Sequence, residues 1–282
     1  MSTIEIKNIS KRFGDTQALQ NVNLRFEENK IYGLLGRNGA GKTTLLNIIN
    51  NRMYADSGEI TMDGVSIQEN DEILRNFYFI GEKLLYPDSL KVKDIFKWTK
   101  EFFPDFDMDY AHKLSELFAL GLKSKNSKLS TGYKSILKNI VALSVNTPFV
   151  FFDEPVLGLD ANHRELFYKV LLEKYIENPF TAVISTHLIE EVSNVIEDVV
   201  IIKDGTIIKN ESRDNLLTKG YTIAGPAPTV DSYIQGKEVI GTDSLGGLKT
   251  AYIIGKPEPV LPDNIELSSM DLQKLFIQLT NI

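Results

Sequence analysis

The chain has 282 residues, 43% of them apolar and 24% charged, with a formal net charge of −7. That length allows one large domain, or one domain with a small appendage. An acidic chain lacks the broad positive field that dominates affinity for nucleic acid, so no nucleic-acid partner is expected, and with no cysteine present disulfides and thiolate metal sites are excluded.

The opening residues Thr3-Ile4-Glu5-Ile6-Lys7 alternate as a strand does and are not a signal peptide. No apolar stretch approaches the about 20 residues needed to span a bilayer, so a soluble, cytoplasmic protein is expected. A second strand is predicted over 22–26. A third, Ile31-Tyr32-Gly33-Leu34-Leu35, runs into a glycine-rich loop and then an apolar helix carrying Leu45, Leu46, Ile48 and Ile49. "DSGEITMDGVSI" (56–67) predicts a hairpin turning on Asp63-Gly64, a dipeptide that suits the twist of paired strands. Together these short strands predict a small antiparallel layer beside the glycine loop.

A strand follows over 76–81, then a largely helical stretch to about Leu122. Residues 135–145 carry Ile136, Leu137, Ile140, Val141 and Leu143 in a helical rhythm. "FVFFDE" (149–154) and "TAVISTH" (181–187) are continuous apolar runs of the kind that form buried parallel strands. A turn at Lys203–Thr206 joins two more strands. Strands alternating with helices predict an α/β core with a mainly parallel sheet. Beyond Lys219, "GYTIAGPAPT" reads as a boundary, which divides the chain into residues 1–219 and an accessory segment 220–282. That segment is expected to end in a helix, with Ser268 and Asp271 as a capping box. Its apolar face of Leu272, Leu275, Phe276 and Leu279 must bury against the main domain or a second copy.

The loop after the third strand, Gly36-Arg37-Asn38-Gly39-Ala40-Gly41-Lys42-Thr43-Thr44, satisfies the phosphate-binding pattern GxxxxGK[ST]. Its glycines let successive amides face inward as an anion nest, and the following helix N-terminus adds partial positive charge. Lys42 would neutralise the β- and γ-phosphates of a nucleotide, and Thr43 would ligate Mg²⁺. Asp153 and Glu154 end a buried strand, where ligands of such sheets sit. They suit a magnesium ligand and a water-orienting base, although a solvated strand corner would also end this way.

Three further segments carry a family resemblance. "KLSTGYKS" (128–135) resembles the LSGGQ signature of ATP-binding cassette (ABC) proteins. "DEPVLGLD" (153–160) resembles their Walker B and D-loop, and "STHLIEEV" (185–192) their switch-histidine segment. Over roughly residues 3 to 215 the chain resembles the ATPase subunit of an ABC transporter. The resemblance implies a P-loop NTPase core of ABC type, an antiparallel β subdomain and a helical subdomain at about 83–140, with a small C-terminal α/β appendage. It implies a cassette that binds ATP and Mg²⁺ and pairs head to tail with a second one, so that Ser130, Thr131, Gly132 and Tyr133 cap the partner's ATP. The pair would be a homodimer or a heterodimer. Ser130 would otherwise be an ordinary helix N-cap before a helix starting near Lys134.

The resemblance also makes His187 a γ-phosphate contact, Asp160 the D-loop aspartate and Phe13 an adenine-stacking aromatic; as an alternative, Phe13 packs in an early turn. Glu82 stands where the family has a glutamine that serves the metal, and Thr131 and Tyr133 depart from the signature. Lys93, Lys97 and Lys100 recur at helical spacing, as a solvated face or as a contact with a membrane partner. "FFPDFD" and the appended segment resemble bacterial exporter ATPases. The protein is therefore expected to hydrolyse ATP at the cytoplasmic face of a membrane, driving a separate integral-membrane permease. A soluble ABC ATPase of translation or DNA repair is the alternative, although a single cassette without a coiled-coil insertion suits that reading poorly.

Overall fold

The computed structural model describes residues 2–81 and 86–280. β1 (Thr3–Phe13) and β2 (Thr16–Glu27) form a long antiparallel hairpin, pairing Thr3 with Glu27 and Phe13 with Thr16. β3 (Ile31–Leu35) leads through the glycine loop into α1 (Lys42–Ile49). β4 (Ser57–Met62) and β5 (Val65–Ser66) turn on Asp63-Gly64 as expected and extend the hairpin into an antiparallel sheet ordered β2-β1-β4-β5.

α2 (Asp71–Leu74) precedes β6 (Phe77–Ile80), and α3 (Val92–Phe102), α4 (Met108–Leu117) and α5 (Thr131–Ser144) then supply a helical layer. β7 (Phe149–Asp153), α6 (Ala161–Glu177), β8 (Thr181–Thr186), α7 (Ile189–Val192), β9 (Asp198–Lys203) and β10 (Thr206–Ser212) complete the main sheet. Its order is β10-β9-β3-β8-β7-β6, parallel throughout except for β10 on β9.

Period-two geometry explains why β7 is apolar at every position before Asp153. Val150 and Phe152 point into the core shared with α5 and α6, where Phe152 meets the Phe167 ring edge-on at 5.7 Å. Phe149 and Phe151 point the other way, into the core beneath the antiparallel sheet with Phe26, Tyr32 and Leu46. A strand covered on both faces has no solvent side on which to place polar residues. The two faces thereby clamp β3, β7 and β8 side by side, and the loops leaving their carboxyl ends converge.

α8 (Arg213–Thr218), β11 (Gly220–Pro226), α9 (Ala227–Tyr233), β12 (Glu238–Leu245), β13 (Leu248–Ile254), β14 (Glu266–Ser269) and α10 (Leu272–Thr280) follow. Their strands form a separate antiparallel sheet ordered β12-β13-β11-β14, with a small core of Tyr221, Ile223, Val230, Tyr233, Ala251 and Ile253. The capping box expected at Ser268 does not form. Ser268 lies within β14, paired with Thr222, while Asp271 caps α10 by accepting a hydrogen bond from the Lys274 amide at 2.7 Å. An edge strand claims the serine, a non-local contact that a local pattern cannot show.

The apolar face of α10 is covered within the same chain. Leu272, Leu275 and Phe276 join the main core together with Ile189, Val192 and Val195. Removing residues after Lys219 is therefore expected to expose this seam and lower the melting temperature by roughly 10 °C or more, since each buried side chain of this size contributes about 1.5–3 kcal/mol. Differential scanning calorimetry checks this; an unchanged melting temperature would mean that the appendage stabilises nothing outside itself.

Candidate functional site

The loop between β3 and α1 forms one wall of a cavity of about 480 Å³. Residues 37–44 line it together with Thr16 to Ala18 of β2, Asp153, Glu154, Leu157 and His187. Two glycines are fixed by space, one of them by angle as well. Gly41 has φ +108°, and a Cβ there would sit 2.6 Å from the Ala18 carbonyl oxygen; a Cβ on Gly36 would sit 2.8 Å from that of Ile202. No larger residue lets the loop pass this close to its neighbours.

Lys42 is buried, and its ammonium donates to the Gly36 carbonyl at 2.6 Å and to the Arg37 carbonyl at 3.3 Å. Its side chain thus arches back over the loop. Burial pulls its pKa below the ordinary lysine range, opposed by the carboxylates of Glu154 and Asp153. Arg37, Asn38, Gly39, Ala40, Gly41, Thr43 and Thr44 all belong to the same wall.

Register places the acids. Asp153 at the end of β7 pairs with Ser185 of β8. The Asp153 carboxylate accepts from the Thr43 hydroxyl at 2.7 Å and the Ser185 hydroxyl at 2.8 Å. Burial nevertheless raises its pKa above the usual carboxylate range, the two hydroxyls pulling the other way. Glu154 follows with φ +51°, a left-handed conformation rare for a residue with a side chain and concentrated where function demands it. Its Oε1 lies 2.9 Å from His187 Nδ1 and 3.7 Å from Lys42 Nζ, and its Oε2 accepts from the Thr186 hydroxyl at 3.2 Å. Lys42, Thr43, Asp153, Glu154 and His187, dispersed over 146 positions of the sequence, therefore meet at one cavity.

The signature segment sits apart from that cavity. α5 begins at Thr131, three residues earlier than expected, because Ser130 is its N-cap and accepts from the Tyr133 amide at 3.3 Å. Thr131 and Gly132 form the first turn, and Tyr133 is partly buried against the main core. This turn is fastened to the segment after Glu154. Ser135 donates to the Leu157 carbonyl at 3.0 Å, Asn139 donates to that of Pro155 at 2.9 Å, and Gly132 passes so near the Gly158 carbonyl that a Cβ would lie 2.9 Å from its oxygen. Asp160 caps α6, accepting from the His163 amide at 2.9 Å.

Phe13 ends β1 with 45% of its surface exposed and is not among the cavity-lining residues, whereas Thr16 to Ala18 just beyond it are. Glu82 lies outside the described residues. Lys93, Lys97 and Lys100 occupy the exposed side of α3. Two functional contacts escaped the linear pattern: Ser185 on Asp153 and Thr186 on Glu154. Their signal was polar residues ending an otherwise apolar strand, next to a strand ending in acids.

A glycine loop wrapping a buried lysine, beside two strand-end carboxylates, defines a nucleotide-phosphate site of P-loop type. The family model described as ABC transporter matches residues 19–157. The ABC transporter ATP-binding protein YtrB of Bacillus subtilis is 29% identical over 213 residues, 76% of this chain and 73% of its own. An uncharacterized ABC transporter ATP-binding protein of Methanocaldococcus jannaschii is 30% identical over 210 residues, 73% of this chain and 76% of its own. Among solved structures, a dimeric ATP-binding cassette in a post-hydrolysis state with ADP and Pi superposes with a TM-score of 0.66 at 24% identity, covering 74% of this chain and 98% of that one. The chain belongs to the ABC transporter ATP-binding protein family.

Proposed function

We propose that this protein is the ATP-hydrolysing subunit of an ABC exporter, acting on the cytoplasmic face of a membrane beside a separate permease. The observation that carries this reading is the convergence of Lys42, Thr43, Asp153, Glu154 and His187 on one cavity. Among the described residues no helix is long and apolar enough to cross a membrane, so the translocation path belongs to a partner.

The loop amides and Lys42 hold the β- and γ-phosphates of ATP. Thr43 and Asp153 offer the hard oxygen donors that Mg²⁺ takes, and a magnesium site with few protein ligands leaves room for phosphate oxygens and water. When bound, the ion neutralises charge on the phosphates. Glu154 orients the attacking water and draws its proton, and His187 contacts the γ-phosphate, so that catalysis is positioning and electrostatics. Ser130 and Gly132 cap ATP held by a second cassette, in a homodimer or a heterodimer. Opening and closing of that pair drives the permease.

The permease is assigned to a groove of about 310 Å³ beside α3, lined by Arg52, Tyr78, Tyr86, Trp98, Phe102 and Phe103 among others. Trp98 and Phe102 are exposed there by 45% and 75%, as suits a surface completed by a partner. Residues 220–282 act as an accessory segment to the cassette. Affinity purification of the tagged full-length protein from native membranes is expected to recover an integral-membrane protein, and Trp98→Ala to reduce that recovery at least fivefold. Recovery of no integral-membrane partner would remove the transporter reading.

A further inference from the structure

Resting on the reading of Glu154 as the water-orienting base, we propose that Thr186 is a positioning residue for hydrolysis that fixes the plane of the Glu154 carboxylate. The terminal torsion of a glutamate is soft and broad, so one hydrogen bond leaves the carboxylate free to swing. Glu154 is held at both oxygens instead: Oε1 by His187 Nδ1 at 2.9 Å, and Oε2 by the Thr186 hydroxyl at 3.2 Å.

The direction of the second bond follows from the donor count. A hydroxyl has one proton and two lone pairs. Thr186 Oγ1 accepts from the Leu188 amide at 3.0 Å, which leaves its own proton for Glu154. The chain Leu188 N–H to Thr186 O–H to Glu154 Oε2 is therefore polarised toward the carboxylate. Thr186 is also immobile by comparison with the other anchor. It is wholly buried as the last residue of β8, whereas His187 stands beyond the strand with 37% of its side chain exposed. When His187 turns toward a bound nucleotide, Thr186 is the anchor that stays.

The sequence shows why this residue carries the task. Ser185, Thr186 and His187 are consecutive, and each reaches either Asp153, the last residue of β7, or Glu154 just after it. Ser185 serves the metal-holding aspartate, while Thr186 and His187 share the glutamate. Thr186 reaches the cavity through Glu154 and is not itself among the lining residues, so its hydroxyl is not required for nucleotide binding.

Thr186→Val keeps the shape and removes the hydroxyl; Thr186→Ser keeps the hydroxyl. Steady-state ATP hydrolysis and the Kd of a fluorescent ATP analogue are measured on both. Valine is expected to lower kcat about 10- to 50-fold with KM and Kd unchanged within about twofold, the loss expected for one hydrogen bond to a charged group. Serine is expected to restore kcat to within about threefold of wild type. On a Glu154→Gln background, Thr186→Val is expected to cost no more than about twofold further, because both changes remove one function.

A wild-type rate for the valine variant overturns the proposal. So does a serine variant as slow as valine, which would make the role one of packing, or a fall in kcat matched by an equal loss of nucleotide affinity. If the valine protein does not fold, Thr186→Cys, with its weaker donor, is expected to fall between serine and a complete loss; a wild-type rate there overturns the proposal equally. Full hydrolysis by Glu154→Gln alone would overturn the reading of Glu154 itself, whereas an inactive Glu154→Gln beside a fully active Thr186→Val would sink the role of Thr186 only.

Discussion

Glu154→Gln is expected to bind Mg-ATP with wild-type affinity and to hydrolyse it about 100- to 10,000-fold more slowly, the range spanned by removal of a general base. The amide keeps the size of the side chain and an acceptor for the Thr186 hydroxyl, so the surrounding hydrogen bonds are disturbed little. What disappears is the negative charge 3.7 Å from Lys42 and the ability to accept a proton from water. Phosphate release measures the rate. Light scattering with and without Mg-ATP measures the assembly, because a protein that binds but does not hydrolyse accumulates the closed state. A shift from monomer to dimer is expected, placing Ser130 and Gly132 opposite Lys42 of the second cassette. A monomer under saturating ATP would mean that the pair needs the permease or a different partner ATPase, and hydrolysis at the wild-type rate would remove Glu154 from the mechanism.

Much of this site is legible in the sequence because its parts are local. The loop from Gly36 to Thr44 encodes its own conformation through glycines at positions where a Cβ would strike Ala18 or Ile202. β7 and β8 announce themselves by apolar runs too continuous for a half-exposed strand, and the acids ending one of them fall at the sheet's ligand-binding edge. What stayed hidden depends on pairing across distance. Ser268 resembled a helix cap until the β11–β14 register claimed it, leaving the cap to Asp271. α5 starts three residues before the expected Lys134 although Thr-Gly-Tyr has weak helix propensity, because Ser130 capping and the contacts of Ser135 and Asn139 with the Leu157 and Pro155 carbonyls hold the turn in place. Thr186 and Glu154 are 32 residues apart, so only the parallel register of β7 and β8 brings the hydroxyl to the carboxylate.

Asp153→Asn is expected to move stability and function in opposite directions. In the nucleotide-free protein two charges are buried together: burial raises the Asp153 pKa and lowers that of Lys42. A carboxyl whose folded pKa lies above its unfolded value favours the folded state below the unfolded pKa, and that advantage is lost as pH rises through the folded pKa. At neutral pH the ionised Asp153 therefore weighs against folding, and a neutral amide does not. With EDTA present, Asp153→Asn is expected to melt about 2–4 °C above wild type at pH 7, equivalent to about 1 kcal/mol in a chain of this size. The difference should narrow as pH falls from 7 toward 4, because burial raises the wild-type carboxyl's pKa and makes its charge easier to give up. Mg-ATP then inverts the order. At 100 times its Kd a ligand stabilises the folded state by about 2.7 kcal/mol, and only wild type retains the Asp153 carboxylate beside Thr43 that we propose holds the metal. Melting curves with and without Mg-ATP at the two pH values provide the check. A variant less stable than wild type without nucleotide would show that the hydrogen bonds from Thr43 and Ser185 outweigh burial, and a variant stabilised by Mg-ATP as strongly as wild type would take Asp153 out of the metal site.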